Sequence, residues 1–189
     1  MRHVWTAGAL ADDDRGPVIE APSVLFEIAV TSGNDPIIER YGDTDRLALY
    51  RRKFSQDTIV PPFKYSYGAR IKGQLQWAAD LLRAKPYSKS AWISLTTPGE
   101  PYDSVPCLIG LAFRIREDAL VMTATFRSQN AFTSYLNYLP LADVQAGMAG
   151  RLGLGTGPMR VFVDVPHLYL ADSTQVLRVM RPAPSPHRL

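Results

Sequence analysis

With 189 residues and 46% hydrophobic side chains, the chain can bury one substantial core without staples. Its single cysteine excludes an internal disulfide framework and any cysteine-rich zinc site, and suits a reducing, cytoplasmic setting. The formal net charge of +3 is thinly spread, densest in "LYRRKF" (Leu49–Phe54), which is no footprint for duplex nucleic acid and is compatible with a small anionic substrate.

The opening "MRHVWTAGALADDDRGP" turns acidic before an apolar run develops, so no secretory leader is expected. No apolar run approaches the ~20 residues that cross a bilayer, so no membrane partner is expected either. Residues 1–21 are polar and rich in Asp, Gly and Ala and predict a flexible lead-in, with residues 22–189 as one domain. "SVLFEIAVT" (Ser23–Thr31) predicts a strand closed by the turn "SGND". "PIIERYGDTDRLALYRRKF" predicts helix in its second half. In "IKGQLQWAADLLRA" (Ile71–Ala84), Leu75, Ala78, Ala79 and Leu82 fall at the spacing of one buried helix face, and "KP" stops the helix.

Three strands follow in "SAWISL", "VPCLIGLAFRI" and "ALVMTATFR", the last two joined by the short connection "RED". "AFTSYLNYLPLADVQAGMAG" predicts a helix from Leu141 onward, and "MRVFVDVPHLYLA" a long last strand before the proline-broken tail "PAPSPHRL". "GLGTG" follows a helix, opens a strand and lacks the lysine of a phosphate loop, so it reads as a turn. The element order predicts an α/β (α+β) fold, a mixed β-sheet with flanking helices and no clean βαβ alternation.

Chemistry has few candidate carriers. Cys107 shares a strand face with Ile109, Leu111, Phe113 and Ile115, so periodicity alone leaves it in the core. His167 and Tyr169 are two apart and point the same way. Arg127 ends a strand and is followed by Ser128. No metal-ligand spacing occurs, so no metal is expected.

The succession "YG" (Tyr67–Gly68), "PC" (Pro106–Cys107), "RSQN" (Arg127–Asn130), Asn137 and "HLY" (His167–Tyr169) resembles thymidylate synthase and its pyrimidine hydroxymethylase relatives. The resemblance spans roughly Tyr65 to Asp172. It implies a thymidylate-synthase-like sheet and a homodimer formed by sheet-to-sheet packing. It implies that Cys107 adds to C6 of a pyrimidine nucleotide or nucleoside, after which C5 attacks a one-carbon unit carried by 5,10-methylenetetrahydrofolate. Arg127 would contact substrate phosphate and nucleophile, Ser128 the phosphate, and Tyr67 would help move the C5 proton. Asn137 would pair with the uracil edge, where cytosine-specific relatives use a carboxylate, and His167 and Tyr169 would bond the sugar 3′-hydroxyl. Lys89 stands at one of two arginines that reach across the family dimer to the phosphate.

The departures are specific. The family's histidine after the cysteine is Leu108, and the glutamine five residues beyond it is Ala112. The pterin-gripping aspartate is Asn130, an amide that cannot offer the same two acceptors. The N-terminal phosphate-loop arginine and the Glu-Trp helix have no legible counterpart. Hydroxymethylation, in which water captures the exocyclic methylene and no hydride is needed, is therefore the outcome favoured over reductive methylation. The alternatives are a homologue that binds nucleotide or a partner subunit without turnover, and a family member repurposed to a non-nucleotide acceptor.

Overall fold

A computed structural model of the chain describes residues 1–31 and 34–181. At its centre is a hairpin of β5 (Leu108–Arg116) and β6 (Ala119–Asn130). Glu117 and Asp118 turn it with φ of 49° and 61°, the left-handed pair that a two-residue hairpin loop requires. β6 then feeds α5 (Tyr135–Leu152), which crosses over so that β7 (Gly155–Tyr169) runs parallel to β6. β4 (Trp92–Ser94) extends the far side of β5. The free edge of β7 carries two short strands end to end. β3 (Val24–Ile28) pairs with its first half, and β2 (Val18–Glu20), itself paired with β1 (Ala9–Ala11), pairs with its last residues. The seven strands form one mixed sheet.

The helices cover one face. The α4 helix (Tyr67–Ala84) buries Ala78, Ala79 and Leu82 together with Leu111 and Phe113 of β5, Leu120, Met122 and Phe126 of β6, and Val161 of β7. The α3 helix (Thr44–Ser55) joins the same core through Phe54. The intervening strand residues Thr123, Thr125 and Phe162 are only half-buried, which is how a sheet with one covered face reads along its strands.

The structure corrects three local expectations. Residues 1–21 are no flexible lead-in: they hold α1 (Arg2–Ala7), β1 and β2, and Val4 and Ala21 are buried with Leu168 and Val176 of α6 (Ser173–Met180). Apolar side chains at wide intervals, each meeting the C-terminal third of the chain, order a segment whose composition alone looks loose. Helix precedes α3 as well, in α2 (Pro36–Tyr41), where the Asp35 carboxylate caps the N–H groups of Ile37 and Ile38. Helix α5 begins at Tyr135 rather than Leu141. Pro140 forfeits one backbone bond inside it, but Leu136, Leu139 and Leu141 are all buried by continuing the helix through the proline.

"GLGTG" is the expected helix-to-strand turn. Gly153 ends α5 at φ 68°, with the Leu154 N–H returning to Ala149, a Schellman closure that needs the left-handed conformation. The tail "PAPSPHRL" and the first two residues of "SGND" lie outside the described residues. Among the described residues no helix is long and apolar enough to cross a membrane.

Candidate active site

The parallel strands β6 and β7 end side by side, and the chain leaves both into α5 and the 3₁₀ turn Leu170–Asp172. Ligands bind at such paired carboxyl ends in open sheets because connecting segments diverge there and leave a crevice. A cleft of about 440 Å³ opens at this place. Its lining includes Cys107 from the entry to β5, Arg127, Ser128, Gln129 and Asn130 from the end of β6, Thr133 from the segment before α5, Asn137 from its first turn, His167 and Tyr169 from the end of β7, and Asp172 from the turn after it. Arg46 and Tyr50 of α3 and Asp13, Asp14 and Arg15 of the β1–β2 loop complete it.

Cys107 is half-buried and continues the sheet ladder, its carbonyl accepting from the Arg127 N–H at 2.9 Å. The Arg127 side chain folds back on the same turn. Its Nε donates to the Pro106 carbonyl and its Nη2 to the Val105 carbonyl, each at 3.0 Å. A fixed positive charge is thereby held beside the turn that presents the thiol, and a guanidinium remains charged at any working pH.

His167, at the end of β7, lines the same cleft and is 6% exposed. Its Nδ1 lies 3.2 Å from the Val165 carbonyl, which can only accept, so Nδ1 carries the proton and Nε2 is left as an acceptor. Burial lowers its pKa below the ordinary histidine value, with the Val165 contact and the charges of Asp13 and Glu20 pulling the other way. The Tyr169 ring stands edge-on to the His167 ring, and the Tyr169 hydroxyl donates to Asp13 Oδ1 at 2.9 Å. Burial and that carboxylate push the Tyr169 hydroxyl up to about 12. Burial pulls Asp13 upward, but the Arg15 N–H, the Tyr169 hydroxyl and the charges of His167 and Arg15 hold it below the usual carboxylate range.

Asn137 and Ser128 make no side-chain hydrogen bond among the described residues, so both face the cleft with their polar groups available. Asn130 is committed: its Nδ2 donates to Asp172 at 3.2 Å and its Oδ1 accepts from the Phe132 N–H at 2.9 Å.

Two expected site residues lie elsewhere. Tyr67 is fully buried behind the turn that carries Cys107 and does not line the cleft. Its hydroxyl accepts from the Leu108 N–H at 3.2 Å and lies 3.5 Å from the Tyr65 hydroxyl. Burial, with the neighbouring Tyr65 and Cys107, raises its pKa well above the ordinary phenol value. Lys89 is exposed in the segment before β4, its carbonyl accepting from Arg114, and does not reach the cleft of its own chain.

The sequence reading passed over several residues that the fold brings in. Lys53 belongs to the basic cluster "LYRRKF", yet it is 5% exposed and sits over the rings of Tyr65, Phe63, Tyr67 and Tyr50. The aromatic rhythm of "FKYSY" (Phe63–Tyr67), a short segment beyond that cluster, is the one signal that pointed to it. Arg15 and Arg46 supply cations from the N-terminal quarter, and Asp172 supplies a carboxylate beside Asn130. No motif marks these three, because they come from three separate segments, the β1–β2 loop, α3 and the turn after β7, that meet only in the fold.

No protein-family model matches the chain. Among curated proteins, "Putative thymidylate synthase" of Methanococcoides burtonii is 24% identical over 190 residues, covering 94% of this chain and 87% of the relative. The proteins of the same name from Methanosarcina acetivorans and Methanosarcina mazei are 26% and 24% identical over the same shares. The chain is similar to these putative thymidylate synthases. Its cleft gathers Cys107, Arg127, Ser128, Asn130, Asn137, His167 and Tyr169 from four separate elements. The matches reach well outside the motif span, into the N-terminal part that supplies Asp13 and Arg15.

Proposed function

We propose that the chain transfers a one-carbon unit to C5 of a pyrimidine nucleotide or nucleoside through a covalent Cys107 adduct. The observation that carries this reading is the cleft whose lining holds together the lone cysteine, an amide at Asn137 without a side-chain partner among the described residues, and a histidine at His167 whose Nε2 is left to accept. A soft thiolate adds to the electron-poor C6, the S–C6 bond forms, and the C5=C6 pair moves onto the C4 oxygen. Asn137 donates to that developing oxyanion and accepts from N3–H, so uracil is the base it suits. His167 Nε2 accepts from the sugar hydroxyl. Arg127, Arg15 and Arg46 line the phosphate end, balanced by Asp13 and Asp14, so both nucleotide and nucleoside remain acceptable substrates.

The residues present fit a folate carrier. The amide of Asn130 is engaged, but the Asp172 carboxylate beside it lines the cleft and presents acceptor oxygens to ring N–H groups. Bound there, 5,10-methylenetetrahydrofolate would supply the one-carbon unit. With Leu108 and Ala112 replacing polar family positions, capture of the exocyclic methylene by water, giving a hydroxymethyl product, is favoured over hydride delivery. The chain acts as a homodimer through the uncovered face of the sheet, and Lys89, remote from its own cleft, serves the phosphate of the second subunit.

Release of tritium from C5-labelled dUMP and dCMP tests the reading, because that exchange requires the adduct. Wild type is expected to release tritium from the uracil substrate and C107S to release none. Absence of release from both substrates, with nucleotide still shielding Cys107 from alkylation, would establish the non-catalytic binding homologue instead. The burial of Tyr67 away from the cleft is the observation that favours that second reading.

A further inference from the structure

We propose that Asp13 makes the cleft selective for ribose, its carboxylate joining His167 and Tyr169 in a set of acceptors that two adjacent sugar hydroxyls fill. The inference rests on reading the cleft as a pyrimidine nucleotide or nucleoside site with the sugar at His167, and it names that sugar.

The loop that carries Asp13 is fixed to the end of β7. On its far side β2 pairs Val18 with Tyr169 and Glu20 with His167, and the Leu170 N–H donates to the Pro17 carbonyl at 3.0 Å. Within the loop the Gly16 N–H closes a turn on the Asp13 carbonyl at 2.9 Å, and the Arg15 N–H donates to Asp13 Oδ1 at 3.0 Å. The same Oδ1 accepts from the Tyr169 hydroxyl at 2.9 Å, and the Tyr169 ring stands edge-on to His167 with centroids 5.2 Å apart. His167, Tyr169 and Asp13 thus follow one another along one rim of the cleft.

The protons along this rim decide what it can hold. His167 directs its Nδ1–H at the Val165 carbonyl, so its Nε2 accepts. The Tyr169 proton is engaged by Asp13, so the phenol turns only its oxygen to a ligand, and that bond makes the oxygen a better acceptor. Asp13 keeps its pKa below the usual carboxylate range through the Arg15 N–H, the Tyr169 hydroxyl and the charges of His167 and Arg15, and an ionised carboxylate only accepts. Among the described residues no hydrogen bond or ion pair reaches Asp13 Oδ2. Beyond O5′, a 2′-deoxyribose brings one hydroxyl proton to these acceptors, whereas a ribose brings two on adjacent carbons. A deoxy sugar that displaced water from the carboxylate would leave it without a donor, which costs binding. Arg15 adds donors to the same rim, but the oxygens of either sugar can meet those, so the acceptors discriminate. The charge of Asp13 also opposes a phosphate at O3′, so both hydroxyls are unesterified in the sugar that fits.

Calorimetry of UMP and dUMP on the full chain tests the proposal. Wild type is expected to bind UMP about tenfold more tightly than dUMP or better, because the second hydroxyl donates to a charged acceptor. Asp13→Ala, at an exposed loop position, should bring the two affinities together, chiefly by weakening UMP. The ratio is the readout, since a loop merely displaced by the substitution would weaken both nucleotides alike. Equal affinities in wild type, tighter binding of dUMP, or a UMP preference that survives Asp13→Ala would each overturn the proposal. Binding of neither nucleotide would overturn it as well. Calorimetry needs no turnover, so a UMP preference without tritium release from C5-labelled UMP keeps this inference and removes the one-carbon reading. Tritium release without a preference does the reverse.

Discussion

His167 shows how a single residue couples the fold to the chemistry. Its Nδ1–H is spent on the Val165 carbonyl, so only the neutral ring leaves Nε2 free to accept. Its folded pKa lies below 6.5, so between that value and 6.5 the unfolded chain binds the proton that the folded chain refuses. The folded state therefore loses stability as pH falls through this window and has its full contribution above 6.5. The same titration removes the acceptor from the cleft. Wild-type affinity for dUMP is expected to fall on acidification below pH 6.5, read by calorimetry. His167→Phe, which keeps the ring and loses Nε2, should bind about tenfold more weakly at pH 7.5, about the strength of one hydrogen bond, and show no such acid limb. An acid limb retained in His167→Phe would assign it to another group.

Among the elements, the contact between α3 and α4 sets the position of the turn that carries Cys107. The "YG" pair of the sequence acquires a physical reason there. A Cβ at Gly68 would stand 2.2 Å from the Gln56 carbonyl at the end of α3, so the first turn of α4 can seat only a glycine. Ser66 caps that turn, accepting from the Ala69 N–H and donating to Gln56. Gly68→Ala is expected to cost about 2 kcal/mol or more in urea unfolding, since the obstacle is backbone and not a flexible side-chain end. Because Tyr67 is the neighbouring residue and its hydroxyl receives the Leu108 N–H, the variant should also alter the labelling rate of Cys107. At this scale the sequence was informative where periodicity is long. The buried face of α4 and the β5–β6 hairpin could be read directly, because 3.6- and 2-residue periods persist over nine residues or more. The start of α5 could not, because Pro140 is locally a helix breaker and only the burial of Leu136 and Leu139 overrides it.

Taken whole, the molecule hid most of its cleft from sequence reading for one reason, the separation of contacting segments along the chain. β2 meets β7 about 150 positions away, in a register that sets Glu20 opposite His167, and this brings the Asp13–Arg15 loop to the site. Strands of three residues carry no legible period, so neither β1 nor β2 announced itself. The uncovered face of the sheet is the other property of the whole chain. The strand registers line up Leu25, Phe162, Thr125 and Gly110 in one row and Arg160, Thr123, Ala112 and Trp92 in the next. The Trp92 ring lies over Gly110, where any Cβ would meet it at 2.4 Å. Leu25 is 71% exposed and Trp92 45% exposed, so this face shows apolar side chains beside threonines, a glycine, an alanine and the Arg160–Glu27 ion pair. The proposed homodimer would pair two such faces across a two-fold axis. Thr125 stands mid-row on the opposite strand face from the core residues Ala124 and Phe126, so Thr125→Arg would place a charge in the proposed interface and not in the helix-covered core. Wild type is expected to sediment as a dimer at micromolar concentration, and Thr125→Arg as a folded monomer with an unchanged thermal midpoint per chain. A wild-type monomer at tens of micromolar would remove the dimer and, with it, the only route by which Lys89 reaches a cleft.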